Sequence, residues 1–139
     1  MDARRPSPTM TGIAFFDTNV LVYLFDAGAP AKRERAQEIL EQKAADGNAV
    51  LSTQVLQEFY VTITRKLAVP VDEETAEQAV RDLSVLPVVS PDPSMILGAI
   101  ARSRRLRLSF WDSLILESAI ASGAAILLSE DLQHQSKVN

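Results

Sequence analysis

The sequence predicts an α/β fold, a three-layer α/β/α sandwich built on a mainly parallel central sheet. Three observations carry that prediction. Short apolar runs suited to buried strands recur along the chain, amphipathic segments of helical length separate them, and aspartates stand at or just past the ends of two of the runs. In open sheets of this kind ligands gather beyond the carboxyl ends of the strands, where strand order reverses.

Residues 13–17, Ile-Ala-Phe-Phe-Asp, read as the first buried strand, and the apolar run 20–25 as a helical turn or two. That run is more apolar than one covered face requires, which fits either core packing or a groove for a partner helix. Asp26 to Pro30 is a break. Residues 31–45 form an amphipathic helix with Ala36, Ile39 and Leu40 inward, closed by Asp46-Gly47-Asn48. Residues 49–51 make a second strand. Ser52 or Thr53 then caps a helix over 54–68, whose stripe Val55, Phe59, Ile63 and Leu67 is its core face. Asp72-Glu73-Glu74 place negative charge against the positive end of a helix reaching residue 86. Residues 87–89 are a third strand, Pro91-Asp92-Pro93 restarts a helix through 105, residues 111–122 form the next, and 124–128 the last strong strand.

At 139 residues the chain is most economically one domain over 13–139 behind a flexible amino-terminal tail at 1–12. Its 47% hydrophobic and 23% charged residues exclude a disordered chain. The absence of cysteine excludes disulfides and thiolate metal sites and is compatible with the cytoplasm, while the single histidine, His134, supplies zinc poorly. No apolar run approaches the roughly 18 to 20 residues that span a bilayer, and no secretory signal is evident, so a cytoplasmic protein without a membrane partner is expected. A net charge of -4 gives no overall attraction to nucleic acid. A polyanion would have to meet a local basic patch, and Arg102, Arg104, Arg105 and Arg107 provide one. The competing reading is that these arginines solvate a helix end and complement its dipole.

Four acidic residues stand where solvated carboxylates are not expected. Asp17 closes the first apolar run, Glu58 lies among Val55, Leu56, Phe59 and Tyr60, Asp112 follows Phe110-Trp111, and Asp131 trails the last apolar run. Each has an ordinary explanation: Asp17 and Asp112 are good helix starters, Glu58 is an edge residue, and Glu130 stands beside Asp131. Thr18 and Asn19 are placed to orient Asp17 through side-chain hydrogen bonds. Gathered together, the carboxylates would repel by roughly 4 kcal/mol per close pair at an effective dielectric near 20, so the cluster calls for a cation. Oxygen-only donors select Mg²⁺, with Mn²⁺ as its substitute.

The ordered set Phe-Phe-Asp-Thr-Asn-Val-Leu, Gln-Glu-Phe, Ser-Phe-Trp-Asp-Ser-Leu-Ile and Leu-Leu-Ser-Glu-Asp-Leu resembles the PIN-domain ribonucleases, most closely VapC-type toxins, over about residues 13–133. By position, Asp17, Glu58, Asp112 and Asp131 match that family's acidic quartet, Asn19 its polar residue after the first acid, and Ser129 its hydroxyl before the last. The resemblance implies metal-dependent endonucleolytic cleavage of RNA by an activated water, leaving a 3′-hydroxyl and a 5′-phosphate. Asp17, Asp112 and Asp131 would be metal ligands, and Glu58 a further ligand or a holder of metal-bound water. It also implies a cognate antitoxin laid over the acidic site, and a homodimer. One departure stands out. The family continues into a final edge strand, whereas this sequence stops soon after Gln135, so the strand is expected to be absent or the end truncated. Two rivals are a non-catalytic PIN-like binding domain and a phosphoryl-transfer or receiver-type domain. The aspartyl-phosphatase pattern wants a second aspartate where Asn19 stands.

Overall fold

The computed structural model describes residues 12–129 and 135–137. The tail expected at 1–12 lies, except for Gly12, outside them. Strand β1 (Ala14–Phe16) leads into α1 (Thr18–Val22) and a 3-10 turn (Tyr23–Phe25), followed by α2 (Pro30–Ala45), β2 (Ala49–Ser52) and α3 (Thr53–Arg65). Then come α4 (Glu73–Leu83), β3 (Val88–Val89), α5 (Pro93–Leu106), α6 (Phe110–Ala121), β4 (Ile126–Leu128) and β5 (Gln135–Lys137).

The strands form one sheet in the order β3-β2-β1-β4-β5, the first four parallel and β5 antiparallel to β4. The chain winds outward from β1 through β2 to β3, then returns to place β4 on the other side of β1. Strand order therefore reverses between β1 and β4, which makes their carboxyl ends the place for a site. Register pairs Phe16 with Leu128, and the Asp17 amide donates to the Leu128 carbonyl at 2.9 Å, so Asp17 and Ser129 leave the sheet side by side.

Successive strand residues face opposite sides of a sheet. Every residue of β1 and β2 is buried, so both faces at the centre of the sheet are covered. Phe15, Phe16, Leu21, Ile39, Leu51, Phe59, Ile63 and Leu128 fill the core, and the apolar run after Asp17 belongs to it: Val20, Leu21 and Val22 are buried and Tyr23, Leu24 and Phe25 pack against them. Lys43 is also buried. Its ammonium donates to the Gly12 carbonyl at 2.6 Å just ahead of β1, and desolvation, partly opposed by Asp46, lowers its pKa from the ordinary lysine value.

Three expectations need correcting. A final edge strand is present in β5; its polar Gln-Ser-Lys composition carries no apolar alternation that would announce it. Helix α3 stops at Arg65, short of residue 68: Lys66 caps it, and the chain turns back so that the Val71 amide donates to the Ile63 carbonyl at 2.8 Å. Helix α6 starts at Phe110 with Ser109 as its cap.

Phe59 is fully buried and meets Phe25 edge to face, with ring centroids 5.8 Å apart. Phe59→Ala is expected to cost about 3–5 kcal/mol in urea unfolding, and a loss below about 1 kcal/mol would contradict this packing.

Candidate active site

Two helix starts and one helix face bring the acidic side chains to the carboxyl end of β1. The extended backbone of Asp17 ends the strand and caps α1, its Oδ1 accepting from the Thr18 amide at 2.7 Å. The capping and site readings of Asp17 are thus compatible, since the half-buried carboxylate also lines a cavity of about 460 Å³. Glu58 and Asp112 line the same cavity, together with Thr18, Asn19, Gln57, Val61, Thr62 and Lys66. Asp112 is not the cap of its helix. Ser109 takes that place, accepting from the Asp112 amide at 3.0 Å, and the exposed Asp112 carboxylate is left facing the cavity while Ile115 and Ala119, further along the same helix, are buried.

Glu58 is held at both oxygens. The Thr18 hydroxyl donates to its Oε1 at 2.9 Å, and the Gln54 side-chain amide to its Oε2 at 3.4 Å. Thr18 therefore orients Glu58 through its hydroxyl and Asp17 through its backbone N–H, a division of labour that differs from the expected side-chain contact with Asp17. Gln54 is 6% exposed and also donates to the Trp111 carbonyl at 3.3 Å. Sequence reasoning missed Gln54, and it missed the contact of Thr18 with Glu58. The available signal for Gln54 was its position one helical turn before Glu58 on the same face. Lys66, at the carboxyl end of α3, is a further unanticipated member of the cavity wall.

Asp131 lies outside the described residues, and Ser129 stands at the end of β4 next to Asp17. Among the described residues no group of three or more His, Cys, Asp or Glu side chains is close enough to hold an ion. The three cavity carboxylates line one space from three separate elements. Their donor set is oxygen alone, which fits a hard divalent cation with room for water ligands.

The arginines divide. Arg102 Nε donates to Glu117 Oε1 at 2.8 Å, with side chains only 21% and 19% exposed, and so ties α5 to α6. Gly98 leaves room for this pair, since a Cβ there would lie 3.1 Å from Glu117 Oε2. Arg104, Arg105 and Arg107 are exposed, and Arg107 closes α5 in the left-handed region at φ 55°. None of the four lines the acidic cavity.

No curated protein matches the sequence significantly. Among solved structures, Mycobacterium tuberculosis VapC20, a sarcin-ricin loop cleaving toxin, superposes with a TM-score of 0.65 over 86% of this chain and 92% of its own. The two share 20% identity, so the likeness is one of fold. The sequence profile of the PIN domain matches residues 14–138, which takes in every described strand and helix, and the chain accordingly belongs to the PIN-domain family.

Proposed function

We propose that this PIN domain is a divalent-metal-dependent endoribonuclease, the toxin of a type II toxin–antitoxin module. The observation that carries the proposal is the meeting of Asp17, Glu58 and Asp112, from three distant parts of the chain, in one cavity where strand order reverses. Asp17 and Asp112, with Asp131 from the segment after β4, would hold Mg²⁺ or Mn²⁺, and Glu58 would be a further ligand or hold a metal-bound water. Such an ion supplies Lewis-acid polarisation of the phosphodiester and a lowered pKa for the attacking water. The chain's own part is positional. The end of β1 fixes Asp17, the Ser109 cap fixes the start of α6 and with it Asp112, and Thr18 and Gln54 orient Glu58. Asn19 and Ser129 would support the rim.

RNA as substrate follows from the family and from the cleavage that VapC20 is named for. Lys66 on the cavity wall and the exposed Arg104, Arg105 and Arg107 would contact flanking phosphates; Arg102, committed to Glu117, is left out of that role. A mostly apolar cleft of about 500 Å³, lined by Leu56, Tyr60, Val61 and Val80 among others, adjoins the acidic cavity and shares Gln57 and Val61 with it. A cognate antitoxin would lay a helix or tail there and reach the carboxylates with a basic side chain. A cytoplasmic homodimer completes the reading, and no described helix is long and apolar enough to cross a membrane.

Asp17→Asn keeps a capping oxygen at α1 and removes the charge, so the fold should persist while Mn²⁺-dependent RNA cleavage drops by more than about 100-fold. Full cleavage by a folded Asp17→Asn protein would refute the assignment. Replacing Arg104 and Arg105 together by alanine should reduce the salt dependence of kcat/KM, lowering the log–log slope by roughly 1.4 for two lost single-strand contacts. Arg102→Ala should leave that slope unchanged and cost about 1–3 kcal/mol in unfolding free energy, because Glu117 loses its partner. The opposite assignment of effects would exchange their roles.

A further inference from the structure

Gln54 is in an unusual position for an amide. It is 6% exposed on the buried side of α3, and both of its hydrogen-bond partners, Glu58 Oε2 and the Trp111 carbonyl, can only accept hydrogen bonds. That chemistry fixes the orientation of the amide: the NH₂ group must face them, one N–H to each. The carbonyl oxygen Oε1 is then turned away, buried, with no hydrogen-bond partner. An amide that served packing alone would be better replaced by methionine or leucine, because a buried unpartnered oxygen costs stability. A residue that breaks this rule inside a core is expected where function requires it.

The two bonds that Gln54 does make span the site. Trp111 precedes Asp112, and Glu58 receives its other hydrogen bond from Thr18, which follows Asp17. A continuous bonded path therefore runs from the Asp17 segment through Thr18, Glu58 and Gln54 to the Asp112 segment. Resting on the metal-centre reading above, we infer that Gln54 is a positioning residue: it sets Glu58 relative to the start of α6 and thereby preorganises the carboxylates for a divalent cation. It does not touch the ion or the RNA. Partners that orient a ligand without binding the metal typically govern its affinity by 10- to 100-fold.

The test compares wild type, Gln54→Met, Thr18→Val and Asp17→Asn by titration with Mn²⁺ alone, counting free ion from its paramagnetic resonance signal, alongside metal-free thermal melts. Gln54→Met keeps side-chain bulk and removes both the donor and the orphaned oxygen. It should melt at or above the wild-type temperature yet bind Mn²⁺ at least about 10-fold more weakly, with RNA cleavage recovering at saturating Mn²⁺. Thr18→Val, which removes the other donor to Glu58, should weaken Mn²⁺ binding in the same direction and gives an independent reading should Gln54→Met not fold. Wild-type Mn²⁺ affinity in a folded Gln54→Met protein, or in Thr18→Val where Gln54→Met does not fold, would overturn the inference, provided Asp17→Asn loses binding. Retained Mn²⁺ binding by Asp17→Asn would instead remove the metal centre itself, and this role with it.

Discussion

The burial of three residues, Ala14, Phe15 and Phe16, is the constraint on which the rest of the site depends. These side chains are fully excluded from water in the middle strand of the parallel sheet, so β1 cannot slide by one residue without turning a phenylalanine to the opposite face. Fixing β1 fixes Asp17, the first residue beyond it. Because β2 and β4 flank β1 on opposite sides, the same constraint sets the switch point beside which Asp17, Glu58 and Asp112 line one cavity.

From that point outward the positioning passes from hydrophobic burial to hydrogen bonding. Asp17 starts α1, the next residue reaches Glu58 across 40 positions of sequence, and Gln54 carries the connection on to α6. Helix caps finish the arrangement: Ser52 sets the start of α3 and Ser109 that of α6, so neither Glu58 nor Asp112 is spent on capping its own helix. The result is a cavity wall where carboxylates from three elements face one space: the Asp17 and Asp112 amides donate to the Leu128 carbonyl and the Ser109 hydroxyl, and Thr18 and Gln54 donate to the Glu58 carboxylate.

Periodicity and punctuation made most of the fold legible in the sequence. The apolar runs gave the parallel strands, and the Val55, Phe59, Ile63 stripe gave the buried face of α3. Asp17, Glu58 and Asp112 could be singled out because each adjoins apolar residues that had to be buried, and the sheet leaves one place for their carboxylates to meet. What escaped notice was pairing between distant residues. Arg102 looked like one of four equivalent arginines, yet Glu117 on the next helix takes its charge. Thr18 looked like an Asp17 partner, but its hydroxyl donates to Glu58 in α3. Gln54, a polar residue in the first turn of a helix, is ordinary in sequence and distinctive only once its two acceptors and its orphaned oxygen are seen. Strand β5 escaped because edge pairing relies on backbone groups, which composition does not reveal.

The central claim is that these carboxylates are placed to share a divalent cation. Crystals of the protein soaked in Mn²⁺, measured at a wavelength where manganese scatters anomalously, test it most directly. The account predicts anomalous density inside the cavity, in direct coordination with carboxylate oxygens of both Asp17 and Asp112. Well-ordered side chains around a cavity without such density at saturating Mn²⁺ would contradict it.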